Sequence, residues 1–154
     1  MELLLDVMCG GLPAYLRMCG HDTAYAGDRG IEADDALLAL AEDEGRTLIT
    51  RDVQLASRAE ESILLESRDV EAHLAELAAA GLELTLEEEP RFCGRCNGSL
   101  EVVESGLSTP EYAPDPAETA VWICADCGQF FWRGSHWERV EQTLEGVRAS
   151  DCRE

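Results

Sequence analysis

Gly45-Arg46-Thr47-Leu48-Ile49-Thr50-Arg51-Asp52 is the segment from which the architecture follows. A glycine closes one periodic stretch, a four-residue apolar and β-branched run comes next, and Arg51-Asp52 interrupt it at once. This is the signature of a short buried strand that leaves a helix stop and ends on an acid. Upstream, Asp34 to Ala41 opens a strong helix, with Leu37, Leu38 and Leu40 facing inward and Asp34 placed to cap it. Downstream, Val53 to Glu60 reads as a helix, Ser62 to Leu65 as a strand, and Asp69 to Ala80 as a helix ended by Gly81. Toward the N-terminus, Glu2 to Leu5 is a strand ending in Asp6. Leu12 to Met18 is a helix set between Gly10-Gly11 and Gly20, and Asp22 to Ala26 is a second strand. Strand and helix in alternation predict crossover units, hence an α/β fold with a parallel sheet flanked by helices on both faces.

Beyond Gly81 the character changes. Leu82, Leu84 and Leu86 alternate, then Glu87-Glu88-Glu89-Pro90 breaks the pattern. The boundary this predicts divides the chain into residues 1–88 and a smaller module, 89–154. All tryptophans and phenylalanines lie in the second part. Ser99 to Glu104 and Thr119 to Ile123 read as strands, 106–116 as a proline-containing loop, and Trp137 to Val147 as a terminal helix.

The chain has 154 residues, long enough for one domain or for a small domain with an appended module. Its 32 acidic and 12 basic side chains give a formal charge of −20, and every base is an arginine. An acidic excess without lysine suits a protein of a salt-loving microbe, since concentrated salt screens self-repulsion. The same charge argues against broad, non-specific binding to nucleic acid, which rests on cations against phosphates. Any such contact is local or carried by metal ions. No apolar run is long enough for a membrane helix. The first residues lack the features of a secretion signal, so the expected address is the cytoplasm.

Of seven cysteines, Cys9, Cys19 and Cys152 are scattered, whereas Cys93-Gly94-Arg95-Cys96 and Cys124-Ala125-Asp126-Cys127 form two pairs separated by 27 residues. This is the spacing of a zinc ribbon: each pair sits on a tight turn, helped by Gly94 and Gly128, and four thiolates close a tetrahedral site with no open position. The expected role is structural zinc; a redox pair and an iron–sulfur cluster are the alternatives.

Asp6 follows the first strand and Asp52 the third, while Asp34 and Asp35 begin the helix between them. The carboxyl ends of parallel strands share one edge, where ligands bind at a topological switch point. Carboxylates converging there without basic partners make a site for Mg²⁺ or Mn²⁺. A pair of such ions activates water and clamps a phosphodiester. The bland alternative is a helix cap and solvated surface acids.

These residues resemble the Mut-seven C-terminal RNase family. The resemblance runs through Leu3-Leu4-Leu5-Asp6, Arg17 to Thr23, Asp34-Asp35-Ala36-Leu37, Glu44 to Asp52, the two cysteine pairs, and Phe131-Trp132-Arg133-Gly134-Ser135-His136-Trp137. It implies a PIN-like nuclease domain closed by a zinc ribbon, a metal-dependent ribonuclease using Mg²⁺ or Mn²⁺, and RNA as substrate. The family's acidic positions correspond to Asp6, Asp34 (with Asp35 its neighbour) and Asp52. A fourth acid has no clear counterpart, with Asp69 and Glu42 as candidates. Arg17, Arg46 and Arg51 stand near these acids in sequence and are candidates for phosphate oxygens. In the ribbon, Arg91, Arg95, Arg133 and Arg139 accompany Trp132, His136 and Trp137, a mixture suited to stacking on single-stranded RNA. Packing against the nuclease domain is the expected role of at least two of the three tryptophans. The competing functional reading is a non-catalytic RNA- or protein-binding adaptor; a toxin-type nuclease is a third.

Overall fold

The computed structural model describes residues 2–151, and side chains as far as Val147; Cys152 lies outside the described residues. Four short strands, β1 (Glu2–Leu5), β2 (Asp22–Tyr25), β3 (Thr47–Thr50) and β4 (Ser62–Leu64), form one parallel sheet in the order β2-β1-β3-β4. Helices α1 (Pro13–Met18), α2 (Asp34–Glu44), α3 (Val53–Arg58) and α4 (Val70–Ala79) connect or follow them.

The apolar runs explain the layering. Successive side chains of a strand point to opposite faces. Leu3, Leu5 and Ile49 enter one core with Leu12, Leu16, Leu74 and Leu77, while Leu4 and Leu48 enter another with Leu37, Ala41 and Leu55. The sheet is therefore covered on both sides, as the unbroken burial of β3 requires. From β1 the chain steps one way to β2, then crosses back over β1 to β3. Right-handed crossovers put α1 on one face and α2 and α3 on the other. At the end of α2, Gly45 adopts φ +64° and its N–H closes on Ala41 and Glu42 carbonyls. Only a residue without a Cβ takes that left-handed stop readily. Asp34, expected as the cap of α2, is its first helical residue; Ala33 holds the cap position without a side-chain bond.

The smaller module is a three-stranded antiparallel sheet, β5 (Leu100–Val102), β6 (Val121–Cys124) and β7 (Phe130–Trp132), in that order. The last helix, α5 (Ser135–Asp151), does not belong to this module's core. Val140, Leu144 and Val147, spaced as one helical stripe, are buried against the same cluster as α4 residues Leu74 and Leu77. Leu82 and Leu84 join that cluster from an irregular segment rather than a strand. The division at residue 88 is thus crossed by the chain: the terminal helix returns to finish the core of the first half.

Candidate functional site

The carboxyl edge of β1 and β3 is the switch point of the sheet, because the chain leaves these adjacent strands toward opposite sides. Asp6 and Asp52 both stand there. The Asp6 amide donates to the Ile49 carbonyl at 3.1 Å, which fixes its backbone to β3. The Asp6 Oδ1 accepts the Val7 amide at 2.7 Å, capping a one-turn 3-10 helix over Val7–Cys9. Its Oδ2 accepts the hydroxyl of Thr50 at 2.8 Å. The same Thr50 Oγ1 accepts the Asp52 amide at 3.0 Å. One buried hydroxyl therefore spans the two acidic positions. Asp52 Oδ1 accepts the Gln54 and Leu55 amides at the start of α3. Thr50 was legible as the end of a strand but not as the link between the acids; the alternation of a polar residue at an otherwise apolar strand end is the signal.

Two further contacts hold this edge. The hydroxyl of Tyr25, at the end of β2, donates to the Val7 carbonyl at 2.8 Å. Beneath Asp6, Cys9 is buried with its sulfur 3.9 Å from the Ile49 carbonyl. Burial pushes the Cys9 thiol up to about 11, and the charge of Asp6 adds to the rise. It stays a neutral floor to the acidic edge at ordinary pH.

The other expected acids are arranged differently. Asp34 and Asp35 are exposed in the first turn of α2, and Asp35 is paired with Arg58 at 2.5 Å. Asp69 spends one oxygen capping α4 through the Ala72 amide. Glu42 lies eight residues along α2 from Asp34, about 12 Å at the helical rise. Among the described residues, the group whose metal-ligating atoms all lie within 4.8 Å of one another is the cysteine set; Asp6, Asp34 and Asp52 form no group of that closeness.

The arginines divide as well. Arg51 is half-buried, and its buried Nε has no hydrogen-bond partner. Arg17, expected on phosphate, sits instead inside the fold at 2% exposure. It donates to the Thr23 carbonyl at 2.9 Å and to the Gly94 carbonyl at 3.1 Å, so its guanidinium joins β2 to a cysteine turn. Arg46 is likewise internal, donating to the Leu3 and Asp22 carbonyls and pairing with Asp22 and Glu44. Arg133 is exposed, 5.7 Å over the Trp122 ring, and His136 is exposed nearby. Of the tryptophans, Trp122 is buried and Trp132 and Trp137 are half-buried, Trp132 against the Tyr112 ring.

Cys93, Cys96, Cys124 and Cys127 converge from two matched turns. The Asn97 amide closes the first on the Cys93 carbonyl, and the Gly128 amide closes the second on the Cys124 carbonyl. Gly98 is required here: a Cβ would meet the Cys124 sulfur at 2.7 Å and an Asp126 oxygen at 2.5 Å. The Cys93–Cys127 and Cys96–Cys124 sulfurs stand 3.7 and 3.5 Å apart. Thiolates at about 2.3 Å from a tetrahedral zinc would be separated by about 3.8 Å, so the donor set fits a metal such as zinc. Amides of Arg95, Asp126 and Cys127 point at the Cys93 and Cys124 sulfurs. Burial pushes the Cys93 thiol far up. Burial also opposes ionisation of Cys124, but the Cys127 and Asp126 amides and the neighbouring thiols outweigh it and bring Cys124 down to about 7.

Asn97 ties this turn to the sheet. In a left-handed conformation, φ 68°, it accepts the Thr23 amide at 2.9 Å and donates to Asp22 Oδ1 at 2.6 Å. The backbone groups of this β2 edge residue are thus satisfied by two elements, the amide by Asn97 of the ribbon and the carbonyl by Arg17 of α1. No helix among the described residues is long and apolar enough to cross a membrane. Comparison with curated proteins and with solved structures gives no match. The model of the Mut7-C RNAse domain matches residues 1–144, essentially everything described above, and the chain therefore belongs to the Mut7-C RNAse domain family.

Proposed function

We propose that this protein is a metal-dependent endoribonuclease that cleaves RNA at the Asp6–Asp52 edge, and that its four cysteines hold a structural zinc ion. The observation that carries the first part is the Asp6–Thr50–Asp52 unit at the switch point of the sheet. Family membership supports the polymer class. Carboxylate oxygens are hard donors, which suits Mg²⁺ or Mn²⁺ rather than a softer ion. Asp6 and Asp52 would hold the ion, with Asp34 in the first turn of α2 as the third expected acid. A divalent ion so held lowers the pKa of a bound water and offsets charge on the phosphodiester.

The chain's own contribution is orientation. The Thr50 hydroxyl holds one oxygen of Asp6, and the Val7 amide holds the other, so the carboxylate cannot turn away. The α3 amides fix Asp52 in the same way. Tyr25 locks the turn that carries Asp6. Arg51, next to Asp52 in the chain, is a candidate to meet a phosphate oxygen through its guanidinium. A non-catalytic adaptor is the second reading. It draws on the pairing of Asp35 with Arg58 and on the looser spacing of the acids.

The test is cleavage of labelled RNA by zinc-loaded protein in concentrated KCl, with and without Mn²⁺. The parent should cut only with added ion, and Asp52→Asn should lose orders of magnitude in rate. Asparagine keeps an oxygen for the Gln54 and Leu55 amides, so the fold should survive. No cleavage by the parent would favour the adaptor.

A further inference from the structure

All three tryptophans of the chain line one groove, formed where the ribbon meets α1. The groove encloses about 270 Å³, and its walls include Phe92, Trp122, Trp132 and Trp137, with Arg95 and His136 at the wall as well. Trp132 and Trp137 are only half-buried; the Trp132 ring packs against Tyr112, with the centroids 6.0 Å apart. The volume is just under the range of about 300–1,000 Å³ usual for larger ligands, so it suits one flat ring system better than an extended molecule.

Arg95 brings positive charge to the groove wall. Acids outnumber bases 32 to 12, and among the described residues Arg17, Arg29, Arg46, Arg58 and Arg91 all have carboxylate partners. Arg95, exposed on the groove wall, has none within ion-pair distance, and the same holds for Arg51, Arg68, Arg133 and Arg139. Arg95 donates to the Gln129 side chain at 3.2 Å, and Arg133 lies over the Trp122 ring. An exposed guanidinium without a carboxylate beside an aromatic wall, in so acidic a protein, is placed to meet an anion from outside. An aromatic slot with phosphate-binding groups at its rim is the combination that single strands use, base against ring and backbone against arginine. Arg95 also lines a second cleft, of about 500 Å³, shared with Arg29 and Tyr25. Tyr25 in turn holds the Val7 turn next to Asp6.

We propose that the tryptophan groove is a base-binding subsite for single-stranded RNA, with a base stacked on Trp132 and Trp137 and the adjoining phosphate on Arg95. The second cleft then leads the strand from this subsite toward Tyr25 and the acidic edge. The choice of RNA rests on the ribonuclease reading above; the subsite itself rests on the aromatic groove and on Arg95 at its wall.

The groove carries its own reporter, because the tryptophans are the chain's dominant fluorophores. The experiment titrates zinc-loaded Asp52→Asn protein with an oligoadenylate octamer, with the same octamer paired in a duplex, and with a leucine-rich octapeptide, without added divalent ion. Single-stranded RNA should quench the emission, the duplex should not, and rising salt should weaken the effect. Arg95→Glu and Trp132→Ala should each weaken binding about tenfold or more, the usual loss for one stacked base or its phosphate contact. Should Trp132→Ala fail to fold, exposed Arg95→Glu decides. Quenching by the peptide but not by RNA would assign the groove to a protein and overturn the proposal. Unchanged RNA affinity in the variants, or no quenching at all, would also overturn it. A parent that cuts RNA without such quenching keeps its nuclease reading and loses the subsite. Quenching by a parent that cuts nothing does the reverse.

Discussion

Thr50 makes two bonds with one hydroxyl, and both end on the acidic edge. Thr50→Val keeps the shape of a fully buried side chain and removes both. Loss of a buried hydrogen-bonding group costs about 1–3 kcal/mol. Loss of the bond that orients a ligating carboxylate lowers metal affinity about 10–100-fold. The expected outcome is a folded protein with a lower melting temperature and a raised Mn²⁺ requirement for cleavage; an unchanged Mn²⁺ dependence would show that Thr50 does not orient the site. His21 gives a pH prediction. Its ring nitrogen lies 2.7 Å from the Glu83 carbonyl, and burial holds its pKa below the usual 6.5 despite nearby Glu83 and Glu87. As pH falls through 6.5 the unfolded chain takes up a proton that the folded chain refuses, so stability falls with pH there. His21→Gln removes this dependence. Melting curves at about pH 7.5 and about pH 5.5 should show a larger drop for the parent than for the variant; equal drops would contradict it. Neither role was readable beforehand. Nearness in sequence to Asp6 and Asp34 made Arg17 look like a phosphate ligand, and only the fold buries it at the ribbon contact.

The strands and helices of the first half follow closely from local signals, because each apolar run is bounded by glycine or by an abrupt acid. Gly45 and Gly81 mark helix ends as expected. The second half was harder to read. Phe130-Phe131-Trp132 is too short a run to declare itself a strand, and its partner β6 lies across a knuckle rather than a hairpin of usual length. The stripe Val140, Leu144, Val147 announces an amphipathic helix but not the surface it covers. The cysteine spacing announces a metal site but not that Asn97, beside Cys96, takes over the edge of β2. That junction has a consequence. Cys93→Ser should release the metal and also loosen β2, since Asn97 and the Gly94 carbonyl lose the turn that positions them. Hydrogen exchange should show faster exchange at Thr23 as well as in residues 91–132, and elemental analysis should fall from one zinc per chain to none. Protection at Thr23 that survives zinc loss would mean the ribbon is only tethered to the sheet.

Taken whole, the last helix completes one of the two cores of the first half, and the four-cysteine module lies before it in the chain. Burying Val140, Leu144 and Val147 contributes about 1.5–3 kcal/mol for each side chain. The charge works in the opposite direction: −20 on 154 residues repels itself in dilute buffer. The melting temperature should therefore rise from low salt to molar KCl, as screening shortens the reach of that repulsion; a flat or falling trend would count against it. The same salt weakens contacts between arginine and phosphate. Cleavage assays thus need a salt range rather than one condition. What unites fold, charge and family is the acidic edge, and the claim is that Asp6 and Asp52 act there as a unit. The direct measurement is the Mn²⁺-dependent rate of RNA cleavage for the parent, Asp6→Asn, Asp52→Asn and the double variant. Residues that hold one ion together are non-additive, so each single change should remove almost all of the rate and the double change should cost little more than either. A single variant that cuts RNA at the parent's rate, or losses that simply multiply in the double variant, would contradict the account.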